Sequence, residues 1–295
     1  MGFDTDIAWT DATFNPWIGC TRKSEGCSFC YAEADMDHRR HRVRWGPAGT
    51  RSMTSEAYWK QPLRWDREAA AAGRRLKVFC ASLADVFEEW TGNILDAKGN
   101  VLWWAPGRGV ISAGQTTPGL VRGERTATMN DLRAMLWELV YRTQNIDWLF
   151  LTKRVEIAFR LMVESGLYAV ENPDLPCPQR NLWIGTSVEN QERADERLPE
   201  LLKIPAVVRF VSYEPALGPV DWRRWLGDGL SWIICGGESG PNRRPCEVEW
   251  FADTARQCQE AGVATFIKQD MGPKPGMQGR IPDELWALKQ FPKVA

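Results

Sequence analysis

Histidine, net charge and long apolar runs are scarce in this sequence of 295 residues. Only 2 His are present, which argues against a metal site built from several histidines and against a histidine relay. Lys plus Arg number 37 and Asp plus Glu number 38, so the net charge of -1 argues against a protein that coats nucleic acid by bulk charge. No apolar run approaches the roughly 20 residues of a membrane span.

The first residues, MGFDTDIAW, lack the basic and then apolar order of a signal peptide. We therefore expect a cytoplasmic protein with no membrane partner. With 44% hydrophobic and 25% charged residues, the composition is that of an ordinary folded chain. We expect one domain that spans residues 1–295.

Six short apolar or β-branched runs that end in polar residues predict β-strands. Patterns with apolar residues at helical spacing lie between them, for example over residues 132–140 and 251–258. Alternation of this kind needs crossover connections and predicts a parallel sheet with helices packed on it, either an open doubly wound sheet or a barrel. The predicted strands are residues 77–81, 148–152, 182–186, 207–212, 232–235 and 264–268.

The residues just after these strands are polar. They have two interpretations, as helix caps with first-turn carboxylates or as the lining of a pocket at the carboxyl ends of the strands. We favour the pocket, because several strands deliver a carboxylate or a lysine to the same edge. The residues concerned are Asp85, Lys153, Ser187, Glu189, Glu214, Gly236, Gly237, Glu238 and Lys268.

Residues 91–128 interrupt the alternation. This stretch is rich in Gly, contains Pro106 and Pro118, and has no helical period. It is interpreted as an insertion that serves as a lid, a partner surface or a disordered loop, with a hairpin that turns at residues 98–100.

Three of the 8 cysteines are clustered, and the other five are scattered singly. Cys20, Cys27 and Cys30 follow a C-x6-C-x2-C pattern, with Gly19 and Gly26 before the first two. In a reducing cytoplasm such a group is more typical of metal ligands than of disulfides. A structural zinc ion takes four ligands, whereas a four-iron cluster held by three thiolates leaves one iron open.

The cysteine segment, with Phe29 before its last cysteine, resembles the radical S-adenosylmethionine (SAM) signature, although the first gap is six residues here and three in the usual signature. More narrowly, the segments NPWIGC, GCSFCYAE, SYEPALGP, GGESGPNRRP and AGVATFIKQDMG resemble a phage-associated three-cysteine-motif family of unknown function. The resemblance spans nearly the whole chain.

The resemblance implies a partial or full parallel β/α barrel like a TIM barrel, with its first strand at residues 14–17. It also implies a [4Fe-4S] cluster on Cys20, Cys27 and Cys30, with SAM on the open iron. The reduced cluster would cleave SAM to methionine and a 5′-deoxyadenosyl radical, which abstracts hydrogen from a substrate. An electron donor and a partner protein of the three-cysteine-motif type are the further partners expected.

Site roles follow from the same resemblance. Phe29 would pack on adenine, Asp85 would neutralise the SAM ammonium, and Lys153 or Arg154 would bind the SAM carboxylate. The Gly236-Gly237-Glu238 triplet resembles the GGE element of radical SAM enzymes, but it follows about the sixth strand and not the second. Ser187 and Glu189 complete the candidate cofactor-binding residues. The candidate catalytic residues are Lys153, Glu214 and Lys268.

A basic segment, HRRHRVRW, follows the cysteines. Its arginines form either a solvated helix face or, with the tryptophans nearby, a surface that binds phosphates and stacks bases. The candidate nucleic-acid-binding residues are Arg39, Arg40, Arg42 and Arg44.

Three functions remain open from the sequence. The first is a radical SAM-type enzyme that modifies or repairs a nucleic acid or nucleotide-like substrate. The second is a zinc-stabilised nucleic-acid-binding protein in which His38 or His41 completes a Cys3His site. The third is a barrel hydrolase without redox chemistry, in which the cysteines are structural.

Overall fold

A computed structural model describes residues 5–112, 123–168, 180–227 and 229–294. The strands, numbered in chain order, are β1 (Ala12–Thr13), β2 (Trp17–Ile18), β3 (Arg51–Met53), β4 (Leu76–Cys80), β5 (Ile94–Leu95), β6 (Leu102–Ala105), β7 (Gly109–Ser112), β8 (Arg125–Thr126), β9 (Ile146–Thr152), β10 (Leu182–Ser187), β11 (Val208–Tyr213), β12 (Leu230–Gly236) and β13 (Ala264–Gln269).

The helices are α1 (Tyr31–Glu33), α2 (Glu56–Trp59), α3 (Gln61–Ala71), α4 (Met129–Arg142), α5 (Val155–Glu164), α6 (Gln191–Lys203), α7 (Val248–Ala261) and α8 (Asp283–Trp286). Residues Glu25–Cys27 form a 3-10 turn, and Ala34–Arg39 form a π-helical turn. None of the helices described is both long and apolar enough to cross a membrane.

The main sheet has seven parallel strands in the order β1-β4-β9-β10-β11-β12-β13. It curls into a half-barrel whose edge strands are β1 and β13, which confirms the predicted α/β fold in its partial-barrel form. All six strands predicted from apolar runs occur in this sheet. The predicted first strand at residues 14–17 is wrong: β1 is formed by Ala12–Thr13, which pair with β4, while Trp17–Ile18 pair with β3 in a separate sheet.

Helix ends follow local sequence signals. Thr128 and Asp131 form a capping box at the start of α4, where the Thr128 hydroxyl accepts from the Asp131 amide and the Asp131 carboxylate accepts from the Thr128 amide. Asn190 caps α6 by accepting from the Arg193 amide at 3.1 Å. Gly262 ends α7 with φ of 69°, a left-handed conformation that glycine adopts without strain.

The two faces of the sheet bury different side chains because successive strand residues point to opposite sides. The helices cover the convex face. The concave face is filled at the amino ends of the strands by a second apolar cluster, which includes Phe79, Trp183 and Trp232. Trp9, which precedes β1, closes this end, and its ring centroid lies 4.8 Å from that of Phe79. The tryptophans of this layer therefore form the floor of the half-barrel.

The predicted insertion is built partly of short strands. β6, β7 and β8 form a small antiparallel sheet. The predicted hairpin is confirmed: Leu95 pairs with Val101 across a turn in which the Gly99 amide donates to the Asp96 carbonyl at 3.1 Å. Residues 113–122, which include Pro118, lie outside the described residues.

Candidate functional site

Polar side chains line the concave face at the carboxyl ends of the strands. The same alternation that places Leu149, Trp183 and Phe266 on this face brings polar residues to it further along each strand. Sequence reasoning thus placed these residues on one edge, as the structure has them. We call this set the polar rim; it consists of Lys153, Ser187, Glu189, Glu214 and Lys268.

Glu214 and Lys268 form an ion pair on the rim. The Lys268 ammonium lies 2.7 Å from the Glu214 carboxylate, and the side chains are 17% and 13% exposed. Gly236 makes room for this carboxylate, because a Cβ at that position would lie 2.5 Å from Glu214 Oε1. The two candidate catalytic residues therefore neutralise each other while both still reach solvent.

Lys153 and Glu189 lie on the neighbouring strands. The Lys153 ammonium donates to the Ser187 hydroxyl at 3.0 Å and is 4.0 Å from the Glu189 carboxylate. Glu189 is fully buried and forms a second ion pair with Arg197 of α6 at 2.9 Å. Lys153 is thus the less strongly paired of the two rim lysines and remains 20% exposed.

The cysteine loop, residues 19–30, rests directly on this rim. The Ser24 hydroxyl donates to Glu189 at 2.8 Å, and the Arg244 guanidinium donates to the Glu25 carbonyl at 2.9 Å. At Gly26 a Cβ would lie 2.1 Å from the Glu189 carboxylate, so only glycine fits between the loop and the strand end. The loop is therefore anchored to the ends of β10 and β12.

Arg154 anchors the start of the loop from β9. It donates to the Asp85 carboxylate at 3.0 Å and to the Thr21 carbonyl at 2.6 Å, and one of its nitrogens lies 3.7 Å from Cys20 Sγ. The expected role of Arg154 toward a SAM carboxylate is not favoured, since its guanidinium is buried and already engaged.

A second buried ion pair supports the same end of the loop. Arg51 is 0% exposed and holds both carboxylate oxygens of Glu88, at 2.6 and 2.7 Å. Arg51 also donates to the Thr21 hydroxyl at 2.9 Å. Sequence reasoning missed this pair, because its members are far apart in the chain and neither belongs to a recognisable motif.

The seven described cysteines are free thiols, whereas Cys177 lies outside the described residues. Cys20, Cys27 and Cys30 are partly exposed, and the remaining four are buried. Burial, and then the nearby Asp85 carboxylate, raise the pKa of Cys20 to about 12. Burial also raises the pKa of Cys30. Cys20 and Cys30 are therefore neutral thiols at pH 7. A metal would have to displace their protons to bind them.

The described residues include no group of three His, Cys, Asp or Glu side chains that could hold a single metal ion. His38 and His41, the proposed fourth ligands of a zinc site, are exposed. This arrangement does not favour the Cys3His hypothesis. The donor set fits a four-iron cluster better, because three thiolates that each ligate a different iron need not converge on one point.

Two aromatic side chains flank the last cysteine and are open to solvent. Phe29 is 43% exposed and Tyr31 is 60% exposed. The Arg244 guanidinium lies over the Phe29 ring at 5.3 Å. An exposed ring stacked on an arginine can accept a planar ligand on its other face.

Two further carboxylates predicted to bind SAM are already paired. Asp85 is 6% exposed and bonded to Arg154, and Glu238 is 8% exposed and held by Arg244 at 2.6 Å. Each would have to exchange a partner to bind the SAM ammonium. Gly237 has a packing role, since a Cβ there would lie 2.4 Å from the Met271 amide.

The basic segment lies beside the cysteine loop. Its arginines are exposed; Arg39 and Arg40 pair with Asp35, and neither Arg42 nor Arg44 has a side-chain partner among the described residues. The segment returns to the loop at Gly46, whose amide donates to the Cys20 carbonyl at 3.0 Å. The backbone directly after the segment is therefore bonded to the first cysteine of the loop, and Arg42 and Arg44 are exposed arginines without a side-chain partner in the described part of the chain.

A cavity of about 580 Å³ opens on the Cys20 side of the loop. Thr21, Lys23, Trp90, Arg154 and Glu156 are among its lining residues. A larger cavity, of about 730 Å³, lies at the opposite end of the half-barrel, at the amino ends of β12 and β13. We assign the site to the carboxyl end, because the thiols and the rim carboxylates lie there.

A family model described as "Protein of unknown function (DUF5131)" matches residues 4–97 and 125–279. The interval between the two matched parts falls within the predicted insertion. No curated protein and no solved structure gives a significant match to the chain.

Proposed function

Since the chain belongs to the DUF5131 family, whose description assigns no reaction, we propose from the site itself that this protein is a radical SAM-type enzyme. Cys20, Cys27 and Cys30 would hold a [4Fe-4S] cluster, and SAM would bind the open iron. The observation that carries the proposal is the docking of the three-cysteine loop on the polar rim of a parallel half-barrel.

The bound cluster would supply the electron that cleaves SAM and so generates the radical for hydrogen abstraction. The chain's own residues would hold and orient the reactants. Lys153 and Lys268 are partly exposed cations that can bind a carboxylate or a phosphate at the rim. Phe29 offers an exposed ring for adenine. The aromatic floor of the half-barrel keeps water away from the buried side of the site.

A nucleic acid or nucleotide-like molecule is the substrate class we propose, for modification or repair. The support for this is the basic segment, in which Arg42 and Arg44 are exposed and without side-chain partners in the described part of the chain. Because Gly46 connects this segment to the Cys20 backbone, phosphates bound there would lie near the cysteine loop.

Anaerobic reconstitution with iron and sulfide tests the proposal. We expect a brown protein with about four irons and four sulfides per chain that cleaves SAM under reduction. Cys20→Ala, Cys27→Ala and Cys30→Ala should each reduce the iron content, whereas Cys258→Ala, which changes a buried cysteine of the convex core, should not.

Two results would contradict the proposal. The first is a parent protein that binds no iron and leaves SAM intact under reduction. The second is protein purified without oxygen that carries one zinc and no sulfide, which would support the zinc hypothesis. Turnover of a substrate by Cys20→Ala at low temperature would instead favour the hydrolase hypothesis.

A further inference from the structure

Arg154 connects the sheet to Cys20 through a guanidinium that is fixed on several sides. Its Nη1 atom lies 3.0 Å from the Asp85 carboxylate and 3.7 Å from Cys20 Sγ. Its Nη2 atom donates to the Thr21 carbonyl at 2.6 Å. The residue is 9% exposed, so water competes little for these hydrogen bonds.

The partners of Arg154 are themselves held in place. The Asp85 carboxylate accepts from the Thr152 hydroxyl at 2.7 Å and from the Phe87 amide at 3.0 Å. The Arg154 amide donates to that same Thr152 hydroxyl at 2.8 Å. The orientation of the guanidinium is therefore set by the end of β9 and by the Asp85 segment, independently of Cys20.

We propose that Arg154 is a positioning residue that donates a hydrogen bond to the thiolate of Cys20 and thereby raises the reduction potential of the cluster. This inference rests on the proposed function. A hydrogen bond and a positive charge at a ligating sulfur both favour the reduced form, because they stabilise the electron density that reduction adds. Neither Cys27 nor Cys30 has an arginine as a hydrogen-bond donor to its sulfur among the described residues, so the effect is specific to Cys20.

The experiment measures the reduction potential of the reconstituted full-length protein by redox titration, followed by electron paramagnetic resonance. Arg154→Met removes both the charge and the hydrogen bond. The double variant Arg154→Met/Asp85→Asn removes the hydrogen bond while it leaves the net charge unchanged, and it avoids an unpaired buried carboxylate. Arg154→Lys keeps the charge but replaces the planar guanidinium that contacts Asp85, Thr21 and Cys20 together. Arg160→Met, which changes an exposed arginine of α5, the helix that follows Arg154, is the control.

We expect the parent, Arg154→Met and the double variant to carry equal iron and sulfide, with a lower potential in both variants. The reduction potential of Arg154→Lys should lie between those of Arg154→Met and the parent, and that of Arg160→Met should equal the parent's. A double variant with the parent's potential would overturn the inference and leave the proposed function standing. Loss of iron uptake by the double variant would also overturn it, because Arg154 would then be purely structural. A parent without any cluster would instead overturn the proposed function.

Discussion

Gly26 of the cysteine loop lies against the carboxylate of Glu189 at the end of β10, with no room for a side chain between them. A Cβ built on Gly26 would lie 2.1 Å from Glu189 Oε1 and 2.8 Å from the carboxyl carbon. The carboxylate has little freedom to retreat, because Arg197 and Ser24 hold its two oxygens. The close approach of the loop to the end of β10 therefore requires glycine at this position, in addition to the hydrogen bonds that anchor the loop elsewhere.

Gly26→Ala should therefore displace the loop. We expect a loss of about 1–3 kcal/mol in the free energy of unfolding, as for other overpacked sites, together with lower iron uptake. Urea denaturation and iron analysis measure the two effects. Gly218→Ala is the matched control, since its Cβ would lie 3.4 Å from Asn190 in ordinary contact. Equal stability and iron content in the two variants would contradict the prediction.

Glu189→Gln tests the buried ion pair beneath the loop. The side chains of Glu189 and Arg197 are 0% and 1% exposed. Arg197 Nη1 donates to Glu189 and to the Ser187 carbonyl, whereas Nε and Nη2 have no hydrogen-bond partner in the described structure. Removing the acid leaves a buried cation uncompensated, so we expect a loss of about 3–5 kcal/mol in the free energy of unfolding. Glu192→Gln, whose side chain is 74% exposed, should change stability by less than about 0.5 kcal/mol.

A second substitution separates charge from packing at this site. Glu189→Gln/Arg197→Met removes both charges and should recover part of the stability that Glu189→Gln loses, because no buried ion then lacks a partner. A double variant that is less stable than Glu189→Gln would show that packing, and not charge, decides the stability there.

Asp96 should give the hairpin of the insertion a pH-dependent stability. Burial raises the pKa of Asp96, but hydrogen bonds from the Asn100 side chain and from the Asn100 and Lys98 amides outweigh it and lower the pKa from 3.8 to about 2. A carboxyl whose pKa is lower in the folded state stabilises the fold above its unfolded pKa, and it loses that contribution as the pH falls through the folded pKa.

The free energy of unfolding of Asp96→Asn should thus lie about 1 kcal/mol below that of the parent at pH 7, after allowance for solvent screening. The difference should shrink as the pH falls from about 4 toward 2. Urea denaturation at several pH values measures it, with Asp6→Asn, an exposed position, as the control. A difference that grows on acidification would have the wrong sign and reject this account.

Arg42→Ala/Arg44→Ala tests the nucleic-acid surface. If both arginines contact phosphates, the double variant should bind single-stranded nucleic acid more weakly, and the slope of log affinity against log salt should fall by about 2. Fluorescence anisotropy over a range of salt concentrations measures both quantities. Arg256→Ala, at an exposed and already paired arginine of α7, should leave the slope unchanged. An unchanged slope in the double variant would remove the basis for a nucleic-acid substrate.

The sequence alone indicated the six longer strands of the main sheet, since short apolar runs repeat at intervals that only strand–helix alternation explains. It did not determine the first strand. Residues 14–17 contain the aromatic Phe14 and Trp17, which favour a strand, but Ala12 and Thr13 are the residues that pair with Val78 and Phe79. A strand of two residues depends on the neighbour that pairs with it, and local propensity has little influence there.

The sequence by itself therefore determined which residues reach the candidate site: strand alternation brings the rim residues to one face, and the spacing of Cys20, Cys27 and Cys30 marks the loop. Only the tertiary structure decided which of their charges are already paired. Asp85 and Arg154 are 69 residues apart, and Arg51 and Glu88 are 37 apart. Such pairs form because the fold buries both partners in one place, where an unpaired charge would destabilise the protein. No local sequence pattern indicates which distant residues will pair.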